Sequence, residues 1–208
     1  MAFGSTQTTF NILIHLTPVL AFPVSKGAKH VLDHILNLWK TKMLSDVTFR
    51  CHGKEIKAHV MILASCSPVL AAMFNNDFKE SQERIVEIKD FTPAIFSRLL
   101  CFMYTGDASL ETDLTEEDVA KLLIAADKYN VDNLKEECAL HLSRNLDVEN
   151  AAHFLTLAHL HNSAVLQEST LEFISENAKA ICSRKDWMDV IKDYPELCFR
   201  AMQRMCGQ

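Results

Sequence analysis

The chain has 208 residues, 49% of them apolar, enough to bury one large core or two small ones. Its 21 basic and 27 acidic residues give a net charge of −6, and no basic run exceeds two residues, so the electrostatic footprint of a nucleic-acid binder is missing. Seven scattered cysteines, an odd number set mostly on apolar faces, fit buried thiols in a reducing nucleus or cytoplasm better than a disulfide framework.

In chain order, residues 9–24 (TFNILIHLTPVLAFPV) carry no formal charge. They lack a basic leader, are broken by His15 and Pro18, and fall short of the ~20 residues a membrane span needs. Residues 1–28 are therefore expected to be a poorly ordered extension, with no membrane partner. Over residues 29–42, Val31, Leu32, Ile35, Leu38 and Trp39 recur at three and four, the stripe of one amphipathic helix. Such a helix can pack on its own core or present its stripe to a partner.

Residues 46–51 alternate apolar and polar, His52-Gly53 supplies a turn, and residues 54–58 alternate again, which predicts a β-hairpin. From His59 the period becomes helical. Ser67 stands as an N-cap before Pro68, so two short helices are expected before Phe74. A polar connection over residues 75–83 leads to a strand at residues 84–88, expected to join the hairpin's sheet. Thr92-Pro93 opens a helix over residues 94–104, apolar almost all round, with Gly106 placed to end it. Thr115 caps a helix over residues 116–129, and another covers residues 131–142. Residues 143–147 break the periodicity, and helices are predicted over residues 148–161, 164–182, 187–192 and 195–205.

Three blocks carry a resemblance. Asp46, Val47, Phe49, Ala58, His59, Ile62, Leu63, Ala64, Ser67, Pro68, Val69, Leu70, Met73 and Phe74 match the opening D-V-x-F, turn, A-H-x-x-I-L-A-x-x-S-P-V-L-x-x-M-F of the BTB/POZ family. So many fixed spacings make this a specific signal. Phe96, Leu100, Phe102, Tyr104, Thr105 and Gly106 match its F-x-x-x-L-x-F-x-Y-T-G signature. Asn145, Leu146, Val148, Glu149, Asn150 and Ala151 resemble the start of the BACK-type extension that follows many BTB domains. Over roughly residues 30–205 the pattern is most similar to the speckle-type POZ group.

The resemblance implies an α+β BTB/POZ domain over residues 29–143, a small sheet flanked by helices, and a short all-α BACK-like region over residues 144–208. It implies a homodimer contact through Val31, Ile35 and Leu38, with Ile62 beneath them. It also implies a hydrophobic-x-Glu contact with cullin-3 through Phe78 and Glu80, with Tyr104 and Asn130 on the same surface. Read from the residues alone, Phe78 in the polar run NNDFKESQER is either an exposed anchor or a side chain folded back on the core. The implied function is a dimeric adaptor that bridges a cullin-3 RING ubiquitin ligase to a substrate for proteasomal degradation, in the nucleus, the cytoplasm or both. The alternative is an oligomerisation module that pairs with full-length BTB relatives and recruits no substrate itself. One departure bears on the choice: speckle-type proteins hold substrate with a MATH domain ahead of the BTB domain, and 28 residues are too few for one.

No cofactor or metal is expected. His159 and His161 point to different sides of a helix, there is no C-x-x-C, and His30 and His34 share a face with no further ligand beside them. Catalysis is not expected either. Five glycines supply neither a nucleophile elbow around Ser65 or Ser67 nor a phosphate-binding loop. His59 reads as a capping or sheet-end residue and Asp46 as a partly buried group in need of donors.

Overall fold

The computed structural model describes residues 26–75, 82–110 and 114–206. Helix α1 (Lys26–Thr41) leads into β1 (Val47–Cys51) and β2 (Lys54–Ala58), which pair antiparallel with Cys51 opposite Lys54. The hairpin closes through His52 (φ 46°) and Gly53 (φ 79°), both left-handed, as a two-residue turn that continues the strand twist requires. Val47, Phe49 and Cys51 face the core while Arg50 faces solvent. Next come α2 (Val60–Cys66) and α3 (Pro68–Asn75), then β3 (Ile85–Ile88), which lies parallel to β1 on its other edge and gives the order β2-β1-β3. A parallel neighbour needs a long crossover, and the α2–α3 pair lies within it.

Helix α4 (Pro93–Thr105) begins at Thr92, whose hydroxyl accepts from the Ile95 N–H, and ends at Gly106 (φ 68°), whose N–H bonds the Phe102 carbonyl. It buries Phe96, Leu99, Leu100 and Tyr104 against the sheet and its neighbours. Phe49 sits at the centre, its ring 5.0 Å from Phe96 and 6.4 Å from Phe74. Helix α5 (Glu116–Lys128) carries the reciprocal Thr115/Asp118 capping box, and α6 (Asp132–Arg144) packs back along it.

The rest is helical: α7 (Ala151–Leu160), α8 (Ala164–Glu176), α9 (Ala178–Ile181), α10 (Lys185–Asp193) and α11 (Pro195–Met205). Among the helix bounds that differ from expectation, two show their local chemistry. Helix α7 starts at residue 151 rather than 148, because the Asp147 carboxylate accepts the N–H groups of Glu149 and Asn150, each at 2.7 Å, and holds a turn there. The helix expected over residues 164–182 breaks at Asn177, whose backbone N–H and side-chain amide both donate to the Phe173 carbonyl, at 3.0 and 2.9 Å, and close off the end of α8.

Two apolar clusters result. The first joins the sheet to α2–α6 and includes Phe154, Leu157 and Ala158 of α7 and Leu166 of α8. In the second, Ala151, Ala152 and Leu155 of α7 and Leu171 and Ile174 of α8 meet Trp187, Val190, Leu197 and Ala201. Helices α7 and α8 therefore belong to both. No helix among the described residues is long and apolar enough to cross a membrane.

Candidate functional site

The α1 stripe serves two surfaces. Ile35, Leu38 and Trp39 are half-buried on the first core, as is Ile62 of α2, whereas Val31 is 59% exposed. Leu32 (48%) and, on α2, Met61 (80%) add apolar area facing water. Of the four positions expected to meet a second copy, Val31 is thus fully presented and the other three divide their surface between their own core and solvent.

Beneath α2 lies a closed polar arrangement. Val60 at the start of α2 donates its N–H to the Asp46 carboxylate at 2.8 Å. The His59 N–H donates to the Tyr104 hydroxyl at 2.8 Å, and His59 Nε2 lies 2.7 Å from the Met43 carbonyl. A carbonyl only accepts, so Nε2 carries the proton and Nδ1, 2.8 Å from the same hydroxyl, accepts the Tyr104 O–H. Both ring nitrogens of His59, its N–H and the Tyr104 hydroxyl are thereby partnered. Tyr104, expected on the partner-facing surface, is instead 4% exposed, its ring 5.1 Å from Trp39. Burial pushes its pKa up to about 12. Its place in the signature reflects the start of α2, which it holds from below, and it is not a surface contact.

Asn130 does reach solvent. It takes the left-handed conformation (φ 53°) between α5 and α6, on the wall of an open groove of ≈ 740 Å³. Ala64, Pro68, Phe102 and Met103 give this groove an apolar lining, and Asp132 and Glu137 give it acidic members. Burial, with Asp107 nearby, raises the Glu137 carboxyl pKa. Ser67 braces the same region, donating to the Tyr129 carbonyl at 2.5 Å and accepting the Leu70 N–H at 3.1 Å. Phe78 and Glu80 lie outside the described residues.

One arrangement had no counterpart in the sequence reading. Asp127 of α5 accepts from Lys135 of α6 at 2.9 Å and pairs at 3.0 Å with Nδ1 of His161, just past α7. The Lys135 ammonium also donates to the His161 carbonyl at 3.3 Å. Burial pushes the Asp127 carboxyl up, but the hydrogen bonds from Lys135 and His161 outweigh it and hold its pKa below the ordinary range. The histidines otherwise remain apart: His159 faces Glu196, and among the described residues His30 and His34 meet each other. Among the described residues no three His, Cys, Asp or Glu side chains gather as a metal site would require.

The BTB/POZ domain pattern matches residues 35–146, which contain the sheet, α2–α6 and the groove. Among curated relatives, TD and POZ domain-containing protein 1 of Mus musculus is 37% identical over 187 residues, 89% of this chain and 50% of its own length. The mouse TD and POZ domain-containing proteins 5 and 2 are 37% and 35% identical, covering 84% of this chain and 51% and 48% of theirs. These relatives are TD and POZ domain-containing proteins rather than the speckle-type POZ proteins expected from the motifs. The chain spans about half the length of the curated relatives it matches. With the pattern matched across the sheet and helices in which Asp46, His59 and Tyr104 hold one another, the chain belongs to the BTB/POZ domain family, a family of protein-interaction modules.

Proposed function

We propose that this chain is a dimeric adaptor of a cullin-3 RING ubiquitin ligase, presenting a substrate for ubiquitination and proteasomal degradation by binding rather than by catalysis. The observation that carries it is the presence of two unlike surfaces on one BTB domain. Val31, Leu32 and Met61 offer apolar area suited to a second copy, and the groove beside Asn130 offers an apolar lining with acidic members, suited to a different partner. The hydrophobic-x-Glu pair Phe78 and Glu80 lies in the connection after α3, whose first residue, Pro68, lines that groove. Seven free thiols support a place in the nucleus or cytoplasm. No nucleic-acid or membrane partner belongs to the proposal.

Calorimetry against the N-terminal domain of cullin-3 tests it. Binding at micromolar strength or better is expected. Phe78→Ala removes roughly 2 kcal/mol of burial, and at ~1.4 kcal/mol per tenfold this weakens binding by a few tens of times. Glu80→Ala costs ~1 to 3 kcal/mol where the carboxylate is buried on binding. The second reading, a module that pairs with full-length BTB relatives and leaves cullin alone, is favoured by the α1 face, which calls for a BTB partner and not for a cullin. A well-folded chain that pairs with BTB proteins but does not bind the cullin domain establishes that reading instead.

A further inference from the structure

We propose that His30 and His34 form a two-imidazole chelate for a divalent transition-metal ion of the nickel or copper class. The two residues stand four apart on α1, so successive helical turns carry their rings on one face. Their Nε2 atoms are 3.0 Å apart, with ring centroids 4.3 Å apart and both side chains exposed.

That separation suits an ion. With metal–nitrogen bonds of ~2.0–2.1 Å, two donors at a right angle stand about 2.9 Å apart, and two at a tetrahedral angle about 3.4 Å apart. The observed spacing matches neighbouring positions of a tetragonal ion, the geometry of divalent copper and nickel, for which imidazole is a suitable ligand. Without an ion the contact is one N–H···N hydrogen bond between exposed rings, and solvent competes for both nitrogens. An ion takes both lone pairs at once, and the helix has already brought them together. The absence of a third ligand, which argued against a structural metal site, is what leaves the other coordination positions open to water or to a donor on a molecule covering α1. The proposal does not depend on the adaptor reading, because it concerns α1 alone.

The test is titration calorimetry of the full tag-free chain with nickel(II), followed by electron paramagnetic resonance with copper(II). One nickel ion per chain is expected to bind at least tenfold more tightly than in His30→Ala or in His34→Ala. The double variant should lose little more, since either single loss already destroys the chelate. His153→Ala removes an exposed imidazole from α7 and serves as the control, leaving affinity unchanged. Circular dichroism confirms that each variant keeps its helices. The copper spectrum of the unmodified chain should show two equivalent imidazole nitrogens, falling to one in either single variant. Equal nickel affinity in the unmodified and His34→Ala chains, or a one-nitrogen copper spectrum in the unmodified chain, overturns the chelate.

Discussion

The sheet-bearing half and the all-helical half are not built alike. The largest side chains fully shut from water include Phe49, Phe96, Leu63, Leu70, Leu99, Leu100, Leu122, Leu123, Leu134 and Leu142, all before residue 147. The helical half adds Leu155, Leu166, Ile174, Ile181 and Leu197, and of these Leu166 packs on the first core. That half also leaves Leu160, Met188, Ile191, Phe199 and Met202 exposed. Burial scales with size, so a bundle of this length with the smaller of the two interiors is marginal unless it leans on a neighbour. It leans through α7 and α8, which wall both cores, and through the Asp127–Lys135–His161 cluster.

The largest effect should come from emptying the first core. Phe96→Ala removes a ring in contact with those of Phe49 and Tyr129 and should cost ~3–5 kcal/mol, lowering the denaturation midpoint of the whole chain. Leu197→Ala in the second core is expected at ~2–3 kcal/mol, with hydrogen exchange accelerated mainly in α10 and α11. Uniform acceleration across the sheet in Leu197→Ala would mean that the two halves open as one unit.

Next is the junction. Asp127→Asn takes the charge from a carboxylate that serves both Lys135 and His161, in a setting where side chains are 19–30% exposed, and should cost ~1.5–3 kcal/mol. The pH sign follows from the direction of the shift. A carboxyl whose folded pKa is depressed contributes stability above its unfolded value, ~3.9, and loses it as pH falls through the folded value. Acid titration of stability should therefore be shallower in Asp127→Asn than in the unmodified chain below about pH 4.

Smaller again is Tyr104→Phe. It keeps the ring on Trp39 but leaves the His59 N–H and Nδ1 without their partner, an expected ~1–2 kcal/mol. The unmodified chain should also lose stability at alkaline pH, from the ordinary tyrosine value near 10 up to about 12, because the unfolded chain ionises this phenol first. That contribution should be absent from the variant's alkaline melting curve.

Much of the architecture was legible because local chemistry dictated it. The alternation around His52-Gly53, the Thr115 cap and Gly106 after a helical run each specify a conformation within a few residues. What was not legible depended on direction or on distant partners. The signature located Tyr104 along the chain but not the way its hydroxyl points, and burial is decided by α2 packing over α4. Asp127 and Lys135 come from separate helices and His161 from the turn after a third, and no spacing in the sequence announces their meeting. At the break, the Asn177 side chain turns back to the same Phe173 carbonyl that its own N–H already bonds, a side-chain choice that propensity alone does not resolve.

The smallest stability effect carries the sharpest test of association. Val31 is 59% exposed on α1 and Leu32 is 48% exposed, so Val31→Asp should change the folding free energy by no more than ~0.5 kcal/mol, as exposed positions generally do. In a two-fold pair the same residue appears twice, and each copy would bring an unpaired carboxylate into an apolar contact. Ile35 and Leu38 are poorer choices for this experiment because they also pack on the first core, so charging them confuses lost folding with lost pairing. Light scattering at micromolar concentration should give a dimer mass for the unmodified chain and a monomer mass for Val31→Asp, with identical melting curves after correction for mass action. A dimer that persists in Val31→Asp places the contact elsewhere. The exposed Phe199 and Met202 of α11 are then the next positions to charge, which would shift self-association from the sheet-bearing half to the one with the smaller interior.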